Sequence, residues 1–230
     1  MTFKPLTFLL FALLTFSAVA QELPQHGKFK FGVNFSPDYC HRTPYFFLDR
    51  SKMGFTTGVN TIYQLNNRIA LETGLQYSNK GYQTTLMDLF YAVPNPNAPV
   101  QAQYVYNMHY LDIPLKANFN FRDKKEASDK KVRFFASVGL TTNLFIKETQ
   151  TTILIYASRT DEETTDILNS PIRSVNFSPT LSFGYDFQTS QHTHLRIEPI
   201  IRYGLRGLTD AKGSGNIYSA GLNVSLLIGQ

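Results

Sequence analysis

Nine charged side chains are spaced as though they could act together: Glu72, Asp112, Lys116, Arg133, Asp186, Arg196, Glu198, Arg202 and Arg206. Most stand singly between apolar or aromatic neighbours, as in Leu111-Asp112-Ile113, Tyr185-Asp186-Phe187 and Leu195-Arg196-Ile197-Glu198. Along an extended strand neighbouring side chains point to opposite faces, so such charges would gather on one face and the apolar residues on the other. A charge enclosed alone is costly, and one enclosed with a hydrogen-bonded partner is not. The chemistry this pattern favours is therefore a network of ion pairs in the interior of a closed sheet.

Other combinations point to catalysis or metal binding less directly. His109 with Asp112 and Glu72 resembles a rim acid–base group of the kind that cuts lipid or peptide, but no motif fixes a nucleophile beside it. His192 and His194 share a face if extended, yet they fall at an expected turn without further ligands nearby, and are read as solvated turn residues. Cys40-His41 has the same weakness, and Cys40 is read as an unpaired loop thiol. The acidic run Asp161, Glu162, Glu163 and Asp166 lacks the glycine-punctuated spacing of a calcium loop and reads as a solvated loop face. No catalytic, cofactor or metal site is expected.

The elements that must position these charges are strands. Ile69, Leu71, Thr73, Leu75 and Tyr77 alternate with Ala70, Glu72, Gly74 and Gln76; Leu111 to Phe121 alternates with Asp112, Pro114, Lys116, Asn118 and Asn120. Phe134 to Ile146 opposes Arg133, Ser137, Gly139, Thr141, Asn143 and Lys147, and Leu195 to Leu205 opposes Arg196, Glu198, Arg202 and Arg206. With Phe29 to Phe35, Phe55 to Tyr63, Phe177 to Phe187 and Tyr218 to Ile228, the count reaches eight. A period of two sustained this long excludes helices.

No segment beyond the first twenty residues is apolar enough for a membrane helix, so a membrane protein built from this chain must span as strands. The expected fold is all-β, an eight-stranded antiparallel up-and-down transmembrane β-barrel with apolar residues against lipid and polar ones inside. Expected links near 37–52, 83–103 and 148–171 are long, and those near 65–67 and 188–193 are short, which matches long outer loops and short periplasmic turns. Gly32, Gly58, Gly74, Gly139, Gly184 and Gly221 are expected to relieve crowding on the inner face. Tyr39, Tyr45, Phe46 and Phe47 make the first loop aromatic, and folding back onto the rim would cover them.

Residues 1–20 read as a cleaved signal peptide: Lys4, the apolar stretch Leu6 to Phe16, then Ala18-Val19-Ala20, with residues 21–230 as one barrel domain. The single cysteine cannot form an internal disulfide. The net charge of +5 is scattered and the leader directs the chain out of the cytoplasm, so nucleic acid is not an expected partner; anionic lipid head groups would suit the excess. Tyrosines near strand ends suit the head-group level, although tryptophan is absent.

Five stretches carry a resemblance to a known family: Phe31-Gly32-Val33-Asn34-Phe35-Ser36, the hairpin ending in Leu75-Gln76-Tyr77-Ser78-Asn79-Lys80-Gly81, Tyr110-Leu111-Asp112-Ile113-Pro114-Leu115-Lys116, Ala136-Ser137-Val138-Gly139-Leu140 and Tyr218-Ser219-Ala220-Gly221-Leu222-Asn223. Together they resemble the PorT-like outer-membrane β-barrel (porin family) proteins over essentially the whole mature chain. That resemblance implies a bacterial outer-membrane barrel, with a link to protein secretion through the member that names the family, and transfers no catalytic residue. The expected role is a non-enzymatic scaffold, adhesin-like or secretion-associated barrel with a side-chain-plugged lumen, whose partners are outer-membrane lipid and envelope or secretion-machinery proteins. A narrow pore for small solutes is the alternative; a lipid-modifying enzyme and a soluble ligand carrier stand further off.

Overall fold

A computed structural model describes residues 29–43, 48–93, 95–121, 132–190, 192–211 and 214–229. The expected leader at 1–20, the loop aromatics Tyr45, Phe46 and Phe47, and residues 122–131 between the stretches Leu111 to Phe121 and Phe134 to Ile146 lie outside the described residues.

Among the described residues eleven strands follow in order: β1 (Phe29–Thr43), β2 (Asp49–Arg50), β3 (Lys52–Gln64), β4 (Ile69–Thr84), β5 (Met87–Asp88), β6 (Gln101–Phe121), β7 (Val132–Ile155), β8 (Thr160–Asp166), β9 (Val175–Gln188), β10 (Thr193–Tyr203) and β11 (Asn216–Gly229). Eight of them close a ring in the order β1, β3, β4, β6, β7, β9, β10, β11, every pair antiparallel, with β11 returning to β1. The three short strands β2, β5 and β8 pair with β4, β6 and β7 and extend the sheet at one end. An eight-stranded antiparallel barrel is thus what this alternation builds.

The stagger of the ring can be followed through partnered residues. Lys30 faces Ile62, then Glu72, Lys116, Gly139, Thr180, Arg202 and Ser219 in turn, and the circuit returns to β1 at Cys40, ten residues further on. This displacement tilts the strands, and a ring of eight tilted strands has a narrow interior.

The two faces are inverted relative to a water-soluble protein. Asn34, Ser36, Asp38, Glu72, Asp112, Lys116 and Glu198 are buried, whereas Phe31, Leu115, Leu181, Phe183 and Ile228 are exposed, Leu115 by 61%. Surrounding hydrocarbon makes that outward band favourable, and closure leaves no unpaired sheet edge in it. Phe29 against Tyr63, Phe121 against Phe134 and Phe134 against Tyr185 form an aromatic belt at the end where β1 starts, the terminal end.

Turns at the terminal end are tight for a local reason. Leu65 and Asn66 both donate their backbone N–H to Ile69 O at 3.0 and 3.1 Å, while Asn66 Oδ1 accepts from the N–H groups of Arg68 and Ile69 at 2.9 Å each. An asparagine side chain that replaces a backbone acceptor is how a short loop closes a hairpin. At the opposite, loop end the strands run further than alternation indicated: β1 continues to Thr43, β7 to Ile155, and β7 with β8 makes a projecting hairpin. Much of the three expected long loops is therefore sheet.

One irregularity changes which residues face inward. Between β6 and β7 the register shifts at His109/Tyr110, which face Lys147 and Phe145, leaving Ile146 as an extra residue. A β-bulge of this kind re-aims the chain beyond it. Lys147, expected on the inner face with Asn143, is instead 51% exposed on its side chain and pairs outward with Asp166 at 3.0 Å; Glu148 takes the inward direction.

Candidate functional site

Seven of the nine charges singled out in the sequence are buried in the lumen: Glu72, Asp112, Lys116, Asp186, Arg196, Glu198 and Arg202. They come from β4, β6, β9 and β10, and the ring sets them at successive heights. At the middle, Lys116 Nζ lies 2.8 Å from Glu72 Oε1 and 3.0 Å from Glu198 Oε1. Arg196 donates to Glu72 Oε2 at 2.9 Å, as does Asn118 Nδ2 at the same distance. Glu198 accepts in addition from Asn223 Nδ2 at 3.1 Å and from Ser182 Oγ.

Below this layer Asp186 collects three partners, His194 Nδ1 at 2.8 Å and Arg196 Nη2 and Lys30 Nζ at 3.4 Å each. Above it Arg202 Nη1 reaches Asp38 Oδ1 at 3.1 Å, and Lys80 Nζ reaches Asp112 Oδ2 at 2.7 Å. Ser36 and Thr56 donate to Asp38, and Asn143 Nδ2 donates to Asp112 Oδ1 at 2.6 Å. Five cations, Lys30, Lys80, Lys116, Arg196 and Arg202, thus stand among five carboxylates, Asp38, Glu72, Asp112, Asp186 and Glu198. Burial of this many charges is tolerable because each carboxylate accepts from several donors. A few buried atoms, among them both side-chain polar atoms of Asn60 and Arg196 Nε, have no protein partner among the described residues.

Arg206 departs from expectation. Strand β10 stops at Tyr203, so alternation no longer governs residue 206; its guanidinium sits 6.0 Å from the Phe177 ring and the residue is exposed. Arg133, opposite Asp186 in the β7 and β9 pairing, is exposed at the terminal end rather than enclosed. The expected grouping of His109 with Asp112 and Glu72 is not formed: His109 stacks on outward Tyr77, 5.8 Å between ring centroids, while both carboxylates point inward.

Three other readings are corrected. Cys40 is an inward residue of β1 with no solvent exposure, not a loop thiol, and its Sγ lies 3.8 Å from Asp38 O. His194 belongs to the Asp186 group rather than to a solvated turn, whereas His192 is exposed. Tyr39 lies on the outer face of β1, so it does not fold over the mouth.

Apolar groups lie at both ends of the polar layers. Ile62, Ala70 and Leu227 pack together at the terminal end. At the loop end Met108, Tyr110, Leu208 and Ile217 form a second cluster, with Tyr82, Tyr106, Phe145 and Ile172 against it. Leu208 is brought over the mouth by the connection between β10 and β11: its N–H donates to Gly215 O and its carbonyl accepts from Arg173 N, both at 2.8 Å. Gly215 has φ +77°, a left-handed conformation that glycine adopts without steric cost, and Arg173 Nη2 holds Asp210 at 2.6 Å. Inside, Gly221 is required for space, since a Cβ there would overlap Asp38 Oδ1 and meet Ser36 Oγ at 2.6 Å.

Residues 19–213 match the family described as outer membrane protein beta-barrel domain. No curated protein matches the sequence. Among solved structures, Neisserial surface protein A is similar with a TM-score of 0.49 at 11% identity, covering 88% of this chain and 99% of that one. OprG of Pseudomonas aeruginosa gives 0.44 at 10% identity, over 90% and 96% of the two chains, and the outer membrane protease OmpT of Escherichia coli 0.38 at 7%, over 90% and 96%. The matched family, the closed eight-stranded ring and its outward apolar band agree, and the chain belongs to the outer-membrane protein β-barrel domain family of the bacterial outer membrane.

Proposed function

We propose that this protein is a non-enzymatic outer-membrane barrel whose lumen is plugged by its own side chains and whose work is done by the sheet extensions at the loop end, as a scaffold, adhesin-like or secretion-associated protein. The observation that carries the reading is the set of ion pairs spanning the lumen, neutral overall and capped above by Leu208 and below by Leu227. An interior of eight strands leaves side chains little room to part, and each ion that moved through would have to displace paired charges.

The resemblance to PorT-like barrels is the finer placement within the family and supports the secretion-associated form of this reading. Orientation follows the usual asymmetry, with short turns toward the periplasm and the long β7 and β8 hairpin outside. That hairpin carries Asp161, Glu162, Glu163 and Asp166 on a wholly exposed edge strand, a charged surface suited to a basic protein partner from the envelope. Lipid around the outward band is the other partner, and cleavage after Ala20 delivers the chain.

Refolded full-length barrel in planar bilayers tests the plug. Silence across about ±100 mV, well within the range over which membrane charges respond, is the expected record; steady open channels of uniform size would overturn it in favour of a narrow solute pore.

A further inference from the structure

A cavity of about 270 Å³ opens at the loop end, above the Met108 and Leu208 cluster. Arg42 of β1, Tyr82 of β4, Met108 of β6 and Glu148 of β7 form its floor and sides, and the connections after β8 and β10 contribute Ile172 and Leu208 among others. Its walls mix Met108, Ile172 and Leu208 with the polar groups of Arg42, Glu148 and Thr209, and Tyr82 stacks on Tyr106 at 4.9 Å between ring centroids. A small-molecule site needs apolar contact surface together with a few polar groups that fix orientation, and both kinds meet here.

The polar groups are unevenly paired. Arg42 is engaged by Asp49, 2.6 Å from Nη2 to Oδ2, and donates to Tyr82 Oη at 3.0 Å. At the rim Arg173 is engaged by Asp210. Glu148 is 93% buried, since only 7% of its surface is exposed, and its carboxylate accepts from Ser170 Oγ at 2.6 Å. It makes no ion pair among the described residues, in contrast to the five carboxylates of the lumen below. Among the described residues that line the cavity, Arg42 is matched by Asp49 and Glu148 is the carboxylate without a cation in contact. A buried carboxylate in apolar surroundings is stabilised by a cation that donates to it.

We infer that this cavity binds a small organic cation, a primary ammonium or guanidinium group on a flat apolar body, with the charge on Glu148 and the body against Tyr82, Met108, Ile172 and Leu208. The β7 bulge at Ile146 is what turns Glu148 inward, so the charge is built into the strand pairing rather than carried on a loop.

The chain contains no tryptophan, so an indole ligand can be followed by its own fluorescence in the detergent-solubilised full-length barrel. Tryptamine, an arylalkylammonium, should bind saturably, and its neutral counterpart tryptophol should bind at least about tenfold more weakly. Glu148→Gln, which can still accept from Ser170, should weaken tryptamine by about tenfold or more and leave tryptophol unchanged. Ala211→Leu, at the cavity rim, should weaken both by filling space, and an unchanged shift of the band on unheated gels confirms that each variant is folded. Equal binding of the two indoles, or of tryptamine to wild type and Glu148→Gln, would overturn the proposal. Displacement of tryptamine by N-acetyl-lysine amide at lower concentration than by other arylalkylamines would assign the carboxylate to a protein side chain and also overturn it.

Discussion

Lys116 Nζ lies 3.0 Å from Glu198 Oε1, although β6 and β10, which carry them, are separated in the ring by β7 and β9. The pair therefore crosses the lumen and binds strands that share no backbone hydrogen bonds. Lys116→Met removes the cation between Glu72 and Glu198 and leaves two enclosed carboxylates facing one another, with Arg196 on Glu72 alone. The expected loss is about 3–5 kcal/mol, the scale of breaking one side of a buried pair. Urea unfolding in lipid vesicles measures it, and the double variant Lys116→Met/Glu198→Gln should lose less than the two single variants together.

Leu115, one residue away, points the other way and is 61% exposed to the surroundings. Leu115→Arg, mid-way along the outward stretch of β6, should cost about 2–4 kcal/mol in a bilayer, while Phe121→Arg at the strand end should cost about 0–1 kcal/mol. Equal costs at the two positions, measured by the same unfolding experiment, would contradict the depth assigned to them.

Alternation made most of this legible. Eight strands and seven enclosed charges follow from parity alone, because inside a closed sheet a residue's face is set by whether its number is odd or even. Asp38 and Lys80 could have been found by continuing that parity past Phe35 and Tyr77, where strand-breaking Pro37 and polar Asn79-Lys80-Gly81 suggested an end. The chain stays extended there because each strand is held on both sides by its neighbours, and the pairing passes Pro37 without a change of register. Glu148 and Lys147 were not legible: one extra residue at Ile146 reverses their faces, and nothing in Phe145-Ile146-Lys147 marks a bulge. Nor was His194, which is held by Asp186 across the β9 and β10 hairpin and by Lys30 from a strand distant in sequence.

Cys40 offers a readout of closure, since it has no solvent exposure and sits on the inner side of β1 beside Asp38. A maleimide reagent should leave the folded barrel unmodified over hours and label it completely after heating in dodecyl sulfate. Rapid labelling of folded protein would mean that the loop end of the lumen admits solutes as far as β1's last inward residues.

Processing is tested by mass. Protein recovered from outer membranes should begin at Gln21, either as glutamine or as the cyclised form lighter by one ammonia, and intact mass spectrometry distinguishes these from a retained leader. A mass that includes residues 1–20 would replace the cleaved signal with an anchor.

The cap and the polar layers can be separated as barriers. Arg173→Ala removes the ion pair to Asp210 and the donor to Thr209 O, two of the contacts that hold the connection carrying Leu208 over the mouth. The backbone bond from Arg173 N to Leu208 O survives that change, so the connection should loosen rather than leave. Bilayers should stay silent with this variant, because Arg202 with Asp38 and Lys80 with Asp112 still fill the section below. Adding Lys116→Ala and Glu198→Ala removes the crossing pair and its volume, and brief openings should then appear. Channels from Arg173→Ala alone would place the barrier in the Leu208 cap, and silence in the triple variant would place it in the side chains that remain around Asp186 and Phe135 at the terminal end.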